Sequence, residues 1–409
     1  MTNTLAQHAR LFSSLDSLEG VPDWFEPRVR PEERSAAQRV AHEWLAWAGT
    51  MLPGLALAAC LAALGYLISD VLGTVLRYDH GKSPISPIML AVLLGLVLRN
   101  AVGVPAAYEP GLRLCLKTVL RVGIVILGLT LSIQAVGSNA IIGLPVIVAC
   151  IATALLAVTF INRALGLSRR LGTLIAVGTS ICGVSAIVAT APVIDAEEDE
   201  MSYAVACITI FGLLALFTYP LIAPLLFNSN EQVGLFLGTA IHDTSQVAGA
   251  GLAYATQHNA KGAMDAAVTV KLLRNLFMSV LIPLMAVLYS RGEARDGRRR
   301  PKQKWHQVVP LFVIGFVAMA CLRSLGDAGG VKAFGVIDRG AWANLLEHAR
   351  LAVPWLLATA MAAVGLGTGL AQLKGLGWKP FSVGFAAAVL VGVVSAGLIK
   401  LLATVVPAL

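Results

Sequence analysis

The chain is organised by long apolar runs separated by short polar breaks. Apolar segments recur at roughly 51–69, 86–104, 114–136, 140–161, 171–193, 202–227, 233–255, 264–290, 308–325, 353–373 and 382–405. Most approach the ~20 residues that a helix needs to cross hydrocarbon. The pattern predicts an all-α polytopic membrane protein with eleven transmembrane helices. Ahead of them, residues 1–48 form a polar arm expected in the cytoplasm. Trp44 and Trp47 close it as interfacial anchors.

Composition agrees. Of 409 residues, 57% are hydrophobic and only 13% charged, against about a quarter charged in soluble domains. Mean hydropathy is +0.77. The net charge of +8 does not call for nucleic acid, because basic residues collect in cytoplasmic loops of membrane proteins. The six cysteines are scattered singly without a C-x-x-C pair, so neither a disulfide framework nor a metal site is expected. No signal peptide and no cofactor motif is visible.

Charge asymmetry orients the spans. Arg28, Arg30, Arg34 and Arg39 precede the first; Arg113, Lys117 and Arg121 fall near the third; Arg163, Arg169 and Arg170 follow the fourth; Lys374 and Lys379 follow the tenth. Seven more basic residues crowd 291–304, after the eighth span. The acidic run Asp195, Glu197, Glu198, Asp199 and Glu200 is expected outside. This places the amino terminus in the cytoplasm and the carboxyl terminus outside a bacterial inner membrane. One extra helix at 49–80 then precedes two five-helix halves, 86–227 and 232–409. Gly178-Thr179-Ser180-Ile181 and Gly367-Thr368-Gly369-Leu370 occupy corresponding, oppositely directed spans, the mark of a five-plus-five inverted repeat. Gly238-Thr239-Ala240-Ile241 is a third copy, and any single copy reads equally as small residues that let helices pack closely.

Polar residues inside the apolar runs locate the chemistry. Span five carries Gly178, Thr179, Ser180, Cys182, Gly183 and Ser185, a composition that predicts an interrupted helix whose half-helix amino terminus attracts anions. Span seven carries Thr239, His242, Asp243, Thr244, Ser245 and Gln246. A central Asp costs about 2.5–3.5 kcal/mol on an insertion scale, so these groups line a cavity or pair with partners. Span eight carries Lys271, Arg274 and Asn275 on one helical face, ~10–17 Å below the start of the span. They form either a structural ion pair with Asp243 or Asp265 or an anion site, since guanidinium matches carboxylate, phosphate or sulfate-like oxyanions. Gln134 and Gln372 are lesser candidates, equally readable as interhelical hydrogen-bonding residues.

The ordered motifs Gly178–Ala186, Ala191-Pro192-Val193-Ile194, Gly238–Val247 and Lys271–Asn275 resemble the YeiH-like sulfate exporter family from about residue 50 onward. The resemblance implies a multipass transporter distantly related to bile-acid symporters and cation/proton antiporters, with two crossed, interrupted helices. The expected function is secondary, alternating-access transport of a small oxyanion (sulfate, sulfite or a sulfonate), coupled to protons or ions. The ends of spans five and ten, with Thr179, Ser180, Cys182, Ser185, Thr239, Ser245, Gln246, Lys271, Arg274, Asn275 and Thr368, would hold the anion. His242 and Asp243 would handle protons. Partners are then the anion and membrane lipid, with self-association open and nucleic acid excluded. The alternative is a sodium/proton-type antiporter with Asp243 as cation ligand. An enzyme is not expected, because no nucleophile, metal motif or Walker A sequence accompanies His242 and Asp243.

Overall fold

The computed structural model describes residues 36–76, 83, 85–290, 311–328, 332–369 and 377–405, without the side chains of 36–43 and 290. Gln372, the basic stretch 291–304, Lys374 and most of the polar arm lie outside them. Met1–Thr50 form one unit and Met51–Leu409 a second. In the first, Trp44 and Trp47 pack edge to face at 5.7 Å.

The described residues are nearly all helical. In order they form α1 (Ala36–Leu76), α2 (Pro87–Ala101), α3 (Glu109–Leu114), a π turn (Cys115–Val119), α4 (Leu120–Gly128) and α5 (Ile133–Ala164). Then come α6 (Arg169–Ser180), α7 (Val184–Thr190), α8 (Glu198–Leu226), α9 (Asn230–Ala240), α10 (Thr244–His258), α11 (Lys261–Leu276) and α12 (Met278–Ser290). After α13 (Leu311–Ala328), strands β1 (Lys332–Ala333) and β2 (Ile337–Asp338) pair antiparallel, followed by α14 (Arg339–Gly367) and α15 (Trp378–Val405).

Among the described residues, seven helices are long and apolar enough to cross a membrane. Large apolar side chains point outward along them, with Leu156 at 73%, Phe160 at 75% and Leu225 at 84% exposure. Such a surface is stable against lipid and not against water. This is a polytopic, multi-pass membrane protein.

The eleven apolar runs yield seven such helices for local reasons. The second run gives only the 15-residue α2. The third is divided by the π turn. The fifth and seventh double back on themselves. Added methyl groups at Gly238 and Gly251, thirteen positions apart, would both meet Ala267, at 2.6 and 3.5 Å. Only a hairpin brings them to one neighbour, so α9 runs parallel to α11 and α10 returns antiparallel. Likewise Ser168 Oγ hydrogen-bonds Glu200 across the whole fifth run. Gly178 there packs on Ile187 of the returning α7, 2.8 Å from an added methyl.

Helices α11 and α12 form one rod, Lys261–Tyr289, about 43 Å long at 1.5 Å per residue. The α9–α10 hairpin has its base at one end, where Glu231 faces Gly262. The α6–α7 hairpin has its base at the other, where Tyr289 Oη reaches the Arg169 carbonyl at 3.1 Å and Thr173 Oγ1 at 2.7 Å. The two tips therefore meet near the middle of the rod, beside Lys271 and Arg274.

Two expectations change. The acidic run at 195–200 lies at the same end as Ser168 and Arg169, because the segment between them returns instead of crossing. The tenth run is unbroken from Arg339 to Gly367, and Thr368 is its C-cap. Among the described residues the interruptions therefore fall in the fifth and seventh runs, and none falls in the tenth before Gly367.

Candidate functional site

Each hairpin tip is cut by its own sequence. In α6, Thr179 and Ser180 turn their hydroxyls back onto the Ile175 and Ala176 carbonyls at 2.8 and 2.5 Å. Such back-bonding weakens the end of a helix. Gly183 then adopts φ +71°, ψ −126°, a conformation that glycine alone takes cheaply. In α9, Thr239 bonds back to the Leu235 carbonyl at 2.6 Å. Asp243 opens α10 as an N-cap, its Oδ1 accepting from Ser245 N at 2.8 Å and Ser245 Oγ at 2.5 Å.

Both breaks leave carbonyl-rich helix ends inside the protein. A buried, unpaired carbonyl costs about 1–3 kcal/mol, and each end carries about −0.5 of a charge. Lys271 and Arg274 answer both problems. Lys271 Nζ donates to the carbonyls of Ile181 at 2.8 Å, Ile241 at 2.9 Å and His242, which uses all three of its protons. Arg274 donates from Nε to Ser180 O at 2.6 Å, from Nη1 to Thr239 O at 2.7 Å and Ile241 O at 3.3 Å, and from Nη2 to Thr179 O. Both side chains are 0% exposed, and both rank among the largest fully buried ones in the protein.

No described carboxylate lies within ion-pairing distance of either cation. Their partners are main-chain oxygens, neither the ion pair nor the open anion contact that the sequence offered. Asp243, the N-cap of α10, is half-buried. Its Oδ2 would lie 2.8 Å from a methyl added at Gly183. Two cations and one carboxylate leave a formal charge of +1. The two carboxyl and two amino helix ends cancel at about 0.5 each.

Around this crossing the expected residues divide. Asn275 Nδ2 reaches Thr244 Oγ1 at 3.1 Å. Asp243, Thr244 and Ser245 are half-buried and Ser185 is exposed, so the polar edge is reachable. His242 is 1% exposed and gives its carbonyl to Lys271. Its Nδ1, like Asn275 Oδ1, finds no hydrogen-bond partner among the described residues. Buried orphans of this kind mark places where water or a ligand polar atom fits. Cys182 packs on Met278, sulfur to sulfur at 3.6 Å.

Others point away. Gln246 turns into α8, donating to Thr209 O at 3.2 Å and filling the space above Gly212. The Thr239 hydroxyl faces Ser395 of α15 at 2.6 Å. The Thr368 hydroxyl bonds Val364 O at 2.7 Å and its carbonyl accepts from Asn100 at 3.0 Å, partners that belong to neither hairpin. Gln134 is exposed in the first turn of α5. Sequence reasoning missed Ile181 and Ile241, which serve through their carbonyls and so carry no side-chain signal. It also left Thr244 out of the site, although that residue sits in the polar run.

Comparison with known proteins places the chain. The model of the family described as conserved hypothetical protein 698 matches residues 53–384. A UPF0324 membrane protein of Nitratidesulfovibrio vulgaris is 32% identical over 82% of this chain and 89% of its own length. The chain belongs to this UPF0324 family. A UPF0324 membrane protein of Corynebacterium glutamicum is 35% identical over 83% of the chain and 89% of its own length, and one of Agrobacterium fabrum 31% over 87% and 95%. No solved structure matches. The names of these UPF0324 relatives state a membrane setting and no substrate. The family match covers both hairpins and the rod.

Proposed function

We propose that this UPF0324 protein is a secondary active transporter of a small oxyanion, of the size of sulfate, sulfite or a sulfonate, working by alternating access in the bacterial inner membrane. The observation that carries the reading is the surplus positive charge at the crossing: Lys271 and Arg274 fully buried, with Asp243 as the nearby acid. An unbalanced charge in a low-dielectric interior is costly, and a visiting anion relieves it. Because both cations are committed to carbonyls, they attract the anion through the field and hold the tips together. Direct contacts fall to Ser185, Thr244, Ser245 and the N–H groups at the start of α10.

Hairpins that enter from opposite ends of one rod suit a site served alternately from two faces, and they support an inverted relation between the two halves. Asp243, half-buried at the tip, is the group that exchanges a proton in the cycle; His242 is too enclosed to do so without the tips opening. The amino terminus inside and carboxyl terminus outside remain part of this reading. The acidic run at 195–200 now sits with Arg169 on the cytoplasmic face.

Purified protein in liposomes tests it. Labelled sulfate or sulfite should be taken up against a gradient when a pH difference is imposed. The competing antiporter reading draws on the same half-buried Asp243. If oxyanion gradients drive nothing, while sodium dissipates a pH gradient through the protein, that reading replaces ours.

A further inference from the structure

A separate basic cavity of about 480 Å³ lies between α1 and the α3–π–α4 segment. Glu109, Arg113, Lys117 and Thr118 are its polar lining, and Met51, Pro110 and Leu114 are apolar lining residues. It sits at the level where a spanning helix ends, since Gly367, the last residue of α14, meets the Leu116 side chain at 3.8 Å from an added methyl. That is the depth at which lipid headgroups lie.

The π turn explains the cationic lining. Leu120 N–H donates to Cys115 O, five residues back, so the turn is widened by one residue. Lys117 and Thr118 consequently both face the cavity, one turn beyond Arg113 and Leu114. Such single π turns recur at functional positions. Lys117 is exposed and has no hydrogen-bond or ion-pair partner among the described residues. Arg113 bridges Glu109 at 3.0 Å, with both side chains well exposed. A pair of that kind is held weakly and yields to a stronger anion.

We propose that this cavity binds the phosphate headgroup of an anionic phospholipid. Two cations and a hydroxyl suit a phosphodiester. The apolar lining suits the start of the acyl chains and gives a free phosphate nothing to gain. The inference does not depend on the transported substrate.

The test uses detergent-purified full-length protein titrated with phosphatidylglycerol or phosphatidylcholine, bound lipid being counted by native mass spectrometry. Phosphatidylglycerol should bind in preference. Lys117→Gln and Arg113→Gln should each weaken it roughly fivefold, the value of one interfacial cation. Arg113→Lys should restore most of the binding, Glu109→Gln should tighten it, and Lys379→Gln, at an exposed cation elsewhere, should leave it unchanged. Equal binding of phosphatidylcholine, or Lys117→Gln binding like the parent, overturns the site. Soluble glycerol phosphate binding as tightly as the lipid overturns its assignment to a lipid.

Discussion

Replacing Arg274 by methionine keeps the stem's length and removes every donor. Three buried carbonyls, those of Thr179, Ser180 and Thr239, then lose their Arg274 hydrogen bonds, while Ile241 O keeps Lys271 at 2.9 Å. At about 1–3 kcal/mol per bare carbonyl, the gross cost is several kcal/mol, reduced by the desolvation of a buried charge that no longer has to be met. Lys271→Met strips two carbonyls, Ile181 and His242, because Ile241 O keeps Arg274 Nη1 at 3.3 Å. Both variants should therefore unfold below the parent temperature, and Arg274→Met further below it than Lys271→Met. The assay is built in: Cys115, Cys150, Cys182 and Cys207 are free and buried, so a thiol-reactive fluorophore reports melting in detergent. A cation serving only to grip substrate predicts a different result, in which both variants keep the parent's melting temperature and lose anion binding alone. That outcome would refute the account of Lys271 and Arg274 as caps on two helix ends.

Asp243→Asn keeps an N-cap, since asparagine caps as well as aspartate, and raises the formal charge at the tips to +2; the fold should survive, anion affinity rise and the pH dependence of flux flatten, and an unchanged pH profile counts against Asp243 as the proton carrier. Gly183→Ala meets a positive φ and a carboxylate oxygen 2.8 Å away; the backbone alone costs about 1–3 kcal/mol, visible as a lowered melting temperature together with reduced flux. Thr239→Val loses the Ser395 contact and about 1 kcal/mol, with transport intact; a transport defect would return the Thr239 hydroxyl to the site. Single cysteines at Arg170 and Asp199, in a chain freed of its own cysteines, should be labelled by an impermeant reagent from the same side of the membrane, whereas labelling from opposite sides would show that the fifth run crosses.

One of the two breaks is legible in the sequence. Glycines and hydroxyls at 178–185 announce an interruption, because their conflict with helix is written in residue types; the polar run at 239–246 reads as the lining of a cavity, and the second break is expected in the tenth run instead. Whether a broken segment continues or returns is written elsewhere, in the packing of Gly238 and Gly251 on one alanine, and an apolar run long enough to cross looks the same in either case. The acidic residues at 195–200 fall outside only if a crossing is assumed between them and Arg170. Lys271 and Arg274 announced themselves by their cost. Their partners did not, since a carbonyl on Ile181 or Ile241 has no signature in the side chain. Glu200 shows the opposite case: it closes a capping box with Glu197 at the start of α8, a local signal, while its link to Ser168 is a long-range one.

Because the fastener at the crossing grips peptide oxygens, it is indifferent to which side chains stand on the rim. Ser185, Thr244 and Ser245 can be exchanged without undoing the joint that Lys271 and Arg274 make. If the protein is the transporter proposed above, a lineage built on this plan is free to change its cargo by editing a few rim positions, the joint being inherited unaltered.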